Sequence, residues 1–397
     1  MTSPAASAPA QGYLAEQPAL RWNGARPLLT VFDIELTERC NNNCIHCCIN
    51  LPERDRSARK RELSTEAVEE LLRQGAELGA LTVRFSGGEP LLRDDFTELY
   101  LYARRLGLRV MLFTNARLIT PELAGLFARI PPREPVEITV YGMSADSCAA
   151  VTRSRGAFAE FRRGVDLLIR HRIPFFLKGT MLPETRSELE QLLSWSQSIP
   201  GMKELPSFVL FLELRHRRDS EARNRQIEKL RLSPREAIEV LARDPDVYKA
   251  DLHRLCRYVA GKPTDLLFTC NAGNQICIDA YGQIQYCLAL RHPGTVVNSS
   301  IYPLEFALRE FFPQLRQMRA TNPDFINRCA RCMLRGLCEQ CPAKSWIEHG
   351  VLDQPVEYCC EAAHEQARYL GVLTGDEKGW EVADWGERLR RINVGEG

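Results

Sequence analysis

What is missing narrows the field first. No apolar run in this chain approaches the ~20 residues a bilayer-spanning helix needs, so a membrane protein is not expected. Net charge is nearly absent too: +1 over 397 residues leaves no global electrostatic footprint for nucleic acid. The start, Met-Thr-Ser-Pro-Ala-Ala-Ser-Ala-Pro-Ala, lacks the charged then apolar order of a signal peptide. It reads as a disordered lead-in. Without an export signal, disulfides are not the expected use of 15 cysteines. Metal ligation in a reducing cytoplasm is.

The cysteines that are present are strongly grouped. Cys40-Asn-Asn-Asn-Cys44-Ile-His-Cys47 follows directly on the apolar run Leu28-Leu-Thr-Val-Phe-Asp-Ile-Glu-Leu36. Three thiols on one short loop after a strand leave one corner of a metal site without a protein ligand. A zinc site completed by His46 or Cys48 is the alternative on these residues, and buried small side chains are another.

From Leu28 to Leu214, β-branched or aromatic runs alternate with amphipathic segments, the pattern of repeated strand–helix units. Strands are expected at Val31–Leu36, Thr82–Ser86, Arg109–Phe113, Val136–Val140, Pro174–Met181 and Phe208–Leu212. Helices are expected near Thr65–Leu78, Asp95–Leu106, Pro121–Ala128, Ala157–Arg170 and Arg186–Gln197, with Ser64 or Thr65 and Thr120 as caps. Six such units make an α/β fold, a partial (β/α)6 TIM-type barrel. Loops after the strands' C-terminal ends are where such a fold gathers its chemistry. There lie the Cys40 loop, Gly87-Gly88-Glu89-Pro90, Thr114-Asn115, and Tyr141-Gly142-Met143-Ser144.

Domain boundaries follow: a lead over 1–27, the barrel over 28–214, a helical connection over 215–265, a cysteine-rich domain over 266–370 and a tail over 371–397. The basic run Arg54 to Arg61 is either a solvated face or a meeting point for an anionic partner. In the C-terminal domain the order is Cys270, Cys277 and Cys287, with Gly282 before the last. Cys329, Cys332, Cys338 and Cys341 follow, and finally Cys359-Cys360. The block from 329 to 341 alone fits a zinc ribbon as well as iron–sulfur ligation.

The CxxxCxxC loop, with His46 before its third cysteine, resembles the signature of radical S-adenosylmethionine enzymes. The resemblance implies a [4Fe–4S] cluster on Cys40, Cys44 and Cys47, with S-adenosylmethionine on the open iron. One-electron cleavage of the sulfonium would give a 5′-deoxyadenosyl radical that takes hydrogen from a substrate. Gly87, Gly88, Glu89 and Pro90 match the family's GGEP motif, which contacts the methionine amino group. Thr114 and Asn115 match a segment near the cofactor, and Ser144 and Arg153 lie where relatives contact ribose and carboxylate. Lys178-Gly179-Thr180 is a weaker candidate.

The C-terminal cysteine order resembles a SPASM domain, which implies two auxiliary [4Fe–4S] clusters, hence three clusters in all. One would use Cys270, Cys277, Cys287 and Cys341; the other Cys329, Cys332, Cys338 and either Cys359 or Cys360. Cys48, Cys148 and Cys256 stay as small buried hydrophobes. Relatives of this architecture mostly modify peptides, so a peptide maturase is expected. Leu288, where sulfatase-maturating enzymes carry Asp, argues against that branch.

A separate leader-binding protein and an electron donor such as flavodoxin or ferredoxin are the expected partners. A small-metabolite substrate, or a non-catalytic zinc or iron–sulfur scaffold, is the rival reading. Tyr141, Glu213 and Asp279 are placed near the expected cavity, without an assigned catalytic acid or base.

Overall fold

The computed structural model describes residues 28–202, 204–209, 211–259, 264–270, 275–384 and 386–388, with backbone alone over 254–259. The expected lead over 1–27 and the side chain of Cys256 lie outside these residues. Eleven strands are present among them: β1 (Val31–Thr37), β2 (Arg39–Cys40), β3 (Leu51–Pro52), β4 (Thr82–Gly87), β5 (Arg109–Thr114), β6 (Val136–Val140), β7 (Phe175–Thr180), β8 (Ser207–Val209), β9 (Gln275–Ile278), β10 (Gln283–Gln285) and β11 (Val296–Asn298).

Nine of them form one sheet in the order β11-β10-β9-β1-β4-β5-β6-β7-β8. The six from β1 to β8 in that order are parallel, as repeated strand–helix units require. This is the expected partial barrel. The hairpin of the cysteine-rich part does not stand apart from it. β9 lies parallel to β1, Val31 opposite Gln275 and Ile34 opposite Ile278, and β10 and β11 follow antiparallel.

Period-two alternation decides which face is covered. Phe32, Ile34 and Leu36 of β1, Val83 and Phe85 of β4, and Val110 and Leu112 of β5 share one core with Val68, Leu71, Leu99 and Phe127 from the helices. Phe32 presses on Gly75 of the helix Thr65–Glu77, where a Cβ would stand 2.5 Å from its ring. The alternate positions of β5, β6 and β7, among them Met111, Glu137 and Lys178, stay half-exposed. The inner face is therefore open and polar, with Lys178 paired to Glu137 at 3.2 Å.

Caps sit where the sequence places them: Ser64 accepts from Ala67 N–H, and Thr120 from Leu123 N–H ahead of Pro121. The last strand is the main departure, ending at Val209 rather than Leu212. Leu212 and Leu214 leave the sheet to pack with Ile45, Val151 and Ile347, a contact between distant segments that propensity does not encode. The expected helix at 186–197 opens as a 3-10 turn over Arg186–Glu188 before the helix Leu189–Ser198. After 214 the chain runs through the helices Glu221–Leu230, Pro234–Leu241 and Pro245–Val259, with a capping box between Ser233 and Glu236.

Candidate active site

The cysteine loop is fastened at both ends and along its length. β2 pairs with β3, Cys40 opposite Pro52, so that the loop closes on itself. Arg39, just before Cys40, holds Glu62 through Nε at 2.7 Å and Nη2 at 3.0 Å. Asn43 and Ile45 N–H donate to Thr152 O and Val151 O, the last carbonyls of the helix Ala145–Thr152. Arginines bring distant segments onto the loop's carbonyls: Arg117 on Asn41 O at 2.6 Å, Arg223 on Cys44 O at 2.9 Å, Arg215 on Asn50 O at 3.1 Å.

Cys40 and Cys44 are buried and Cys47 is half-buried. Burial pushes the Cys40 and Cys44 thiols well above their ordinary range, and the neighbouring cysteines push them further. Thiols as buried as Cys40 and Cys44 become thiolates only when positive charge sits beside them, so the donor set suits an iron–sulfur centre. Backbone N–H groups already point at the sulfurs, Asn42 to Cys40 Sγ and Asn50 to Cys47 Sγ, each at 3.4 Å. Three polar atoms, Asn42 Nδ2, His46 Nδ1 and Ser86 Oγ, are buried without a hydrogen-bond partner, a demand that a polar ligand meets. Burial lowers His46 to about 4, so its ring is neutral.

At the Gly87-Gly88-Glu89-Pro90 loop the glycines, lacking Cβ atoms, allow a close approach. The close approach is to this chain's own backbone. A Cβ on Gly87 would lie 2.0 Å from Thr37 O, and one on Gly88 2.3 Å from Arg39 O. Gly88 N–H donates to Thr37 O and Glu89 N–H to Arg39 O. Glu89 is fully buried, and its carboxylate accepts from Thr114 Oγ1 at 2.8 Å, Asn115 N at 2.8 Å and Leu91 N at 3.2 Å. It braces the loop after β4 to the loop after β5. Asn115 in turn donates to Asn41 Oδ1 at 2.7 Å and approaches Cys40 Sγ at 3.8 Å.

Ser144 caps the helix Ala145–Thr152 in a capping box with Ser147, so its hydroxyl is engaged locally. Arg153 ends that helix at a φ of 52° with its side chain exposed, next to the carbonyl that receives Asn43 N–H. Tyr141 lies beside His46, ring centroids 6.2 Å apart. Asp279 is ion-paired to Arg217 at 2.8 Å. Nothing in the local sequence announced Arg117, Arg215, Arg223 or Glu62. Each acts across a sequence gap that a spacing pattern does not see.

The C-terminal cysteines form a second centre. Cys270, Cys329, Cys332, Cys338, Cys341 and Cys360 line one cavity of about 390 Å³ with Glu213 and Lys344. Cys360 lies on it, accepting from Arg328 Nη2 at 3.7 Å, whereas buried Cys359 offers its carbonyl to Cys338. Cys287 sits close enough to Cys341 and Cys270 for each to raise its thiol, which burial already pushes to about 12. The segment beyond 370 is more than a tail. Gly379 N–H donates to His364 Nε2, and a Cβ there would lie 2.7 Å from Cys332 Sγ. Trp380 joins the cavity wall.

Segment 212–218 ties the two centres together. Glu213 accepts from Lys344 Nζ at 2.6 Å and bonds His216 Nε2 at 2.5 Å, while His216 N–H donates to Cys48 O.

Residues 34–196 match the family model described as Radical SAM superfamily. Among curated proteins, the chain is similar to the AdoMet-dependent heme synthase of Oleidesulfovibrio alaskensis, 25% identical over 339 residues, 80% of this chain and 83% of the relative. A second AdoMet-dependent heme synthase, from Methanosarcina barkeri, is 29% identical over 165 residues, 42% of this chain and 46% of the relative. The mycofactocin maturase MftC of Mycolicibacterium smegmatis is 36% identical over 124 residues, 31% of this chain and 30% of the relative. Among solved structures, native anSMEcpe with bound AdoMet superposes with a TM-score of 0.60 at 14% identity, covering 86% of this chain and 98% of that one. The last likeness is one of fold.

Proposed function

We propose, from the premise that this chain is a radical S-adenosylmethionine enzyme, that it takes a hydrogen atom from a ribosomally made peptide and so matures it. The observation that carries this reading is the Cys40, Cys44, Cys47 loop, three thiols gathered at the C-terminal end of β1 and braced through Glu89. Those thiols would hold a [4Fe–4S] cluster, and S-adenosylmethionine on its open iron would supply a 5′-deoxyadenosyl radical. Cys329, Cys332, Cys338 and Cys360 would hold one auxiliary cluster, and the cysteines around Cys270 and Cys341 another.

The chain's own residues position and shield. Glu89, Thr114 and Asn115 fix the rim beside Cys40. The open inner face, with Met111, Glu137 and Lys178 half-exposed, gives a substrate side chain polar and apolar groups to meet. Support for a peptide is the similarity to the maturase MftC. A flavodoxin- or ferredoxin-type donor would bring the electron, and a separate protein would hold any leader. A small-molecule substrate is the second reading, favoured by the longer alignment to the heme synthase.

Reconstituted anaerobically with dithionite and S-adenosylmethionine, the protein is expected to release 5′-deoxyadenosine. Cys40→Ala, Cys44→Ala and Cys47→Ala should each abolish that release. Wild-type protein that holds iron yet releases none sinks the reading. Acceleration by a short peptide encoded beside the gene, and not by a porphyrin, separates the two substrate classes.

A further inference from the structure

Two guanidiniums stand on the wall of the C-terminal cysteine cavity, those of Arg328 and Arg335. Arg328 ends the helix Pro323–Asn327, immediately before Cys329. Its Nη2 donates to Cys360 Sγ at 3.7 Å and to Glu357 Oε2 at 2.9 Å, and its Nη1 to Glu357 Oε1 at 2.7 Å. Its Nε is buried without a hydrogen-bond partner, a demand that a cluster sulfur meets. The guanidinium carbon lies 4.8 Å from the centroid of the Trp380 ring, which lines the same cavity. Glu357 is 62% exposed and Arg328 only 21%. Water therefore screens the carboxylate more than the guanidinium, and the arginine's charge reaches the cavity less diminished.

Arg335 reaches the cavity from the 3-10 turn Met333–Gly336. Its partners are neutral: Thr264 O at 2.9 Å and Thr269 Oγ1 at 2.6 Å. The charges that act on it are those of Cys338, Cys329 and Cys332. Cys360 acts on Cys329 and Cys332 in turn, so both arginines attend one set of four sulfurs. Lys344 attends the other set, beside Cys341 and paired with Glu213.

An iron–sulfur cluster on four thiolates is negatively charged when oxidised and more so when reduced. Positive charge and N–H donors at its sulfurs therefore favour the reduced form and raise its potential. Resting on the reading above, which gives Cys329, Cys332, Cys338 and Cys360 to one auxiliary centre, we infer that Arg328 and Arg335 hold that centre's reduction potential up. Arg328 acts through its bond to Cys360 Sγ and Arg335 through its charge. Glu357 moderates Arg328 as the exposed partner of its fork. All three are positioning residues, since they act through the cysteines and not on substrate. Such a centre more readily takes the one electron that a substrate radical gives up, the centre being reduced as the radical is oxidised.

The test uses the full chain reconstituted anaerobically, with cluster midpoints read by mediator titration followed by electron paramagnetic resonance. Arg328→Gln and Arg335→Gln should each lower one midpoint and leave the others in place. At a given solution potential the reduced-to-oxidised ratio of that centre should fall about tenfold, ~59 mV for one electron. Glu357→Gln should move the same midpoint up, by a smaller factor. Opposite signs from the two halves of one ion pair are what a merely structural bridge would not give. An unmoved midpoint in either arginine variant that keeps its iron overturns the inference. Should an arginine variant lose iron, Glu357→Gln still decides, because its side chain is exposed and its bonds go to arginine. An unmoved or lowered midpoint there overturns the inference as well. Wild-type protein that takes up iron at the first loop alone refutes the auxiliary centre itself, so the failure of one reading is distinguishable from that of the other.

Discussion

Replacing Glu89 decides whether its carboxylate braces the chain or serves a bound ligand. In the fold it is fully buried and accepts three hydrogen bonds, two on Oε1 from Thr114 and Leu91 and one on Oε2 from Asn115 N–H. Glu89→Gln keeps the shape. With the amide oxygen at the Oε1 position it retains two bonds and turns an NH2 group toward the Asn115 N–H. One orphaned buried donor costs about 1–3 kcal/mol. Glu89→Ala orphans all three donors and leaves a void, which costs about 3 kcal/mol or more. Against a typical total of about 5–15 kcal/mol, the first is a clear loss and the second a crippling one. Urea unfolding under anaerobic conditions should therefore rank wild type, Gln and Ala in that order. Release of 5′-deoxyadenosine should fall in the same order as the Asn115 loop loosens beside Cys40. If both variants unfold at the wild-type midpoint while release is lost, Glu89 touches ligand and the brace is wrong.

Other perturbations probe the fold that carries the site. Gly75→Ala improves helix propensity by about 1 kcal/mol, but its Cβ would stand 2.5 Å from the Phe32 ring. Overpacking of about 1–3 kcal/mol should win, read as a lower denaturant midpoint. Burial raises the Glu35 carboxyl to about 7 despite its pair with Arg291. A carboxyl that holds its proton more tightly in the fold makes stability fall as pH rises from about 4.5 to 7. Glu35→Gln should flatten that part of the pH–stability curve, measured by urea titration at several pH values; an unchanged slope refutes the assignment. If the C-terminal cysteines hold iron as proposed, removing it with a chelator should speed amide exchange around residues 329–341 and 357–369, because the half-buried thiols of Cys338 and Cys341 lose the charge that orders them.

Much of this molecule was legible in the chain itself. Hydrophobic alternation located the six parallel strands, and Ser64 and Thr120 marked helix starts, because strand faces and caps are local properties of a few consecutive side chains. Cysteine spacing announced the first loop for the same reason: three thiols within eight residues need no fold to find each other. What lay beyond local reach was contact between distant segments. Only the tertiary structure showed that Thr37 and Arg39 carbonyls crowd Gly87 and Gly88, and that Glu89 accepts from Thr114. Only it joined β9 to β1, which set Cys277 level with Asp33 and gave its thiol a partner there. Order along a chain lists which donors exist; the pairing of strands decides which way each one points.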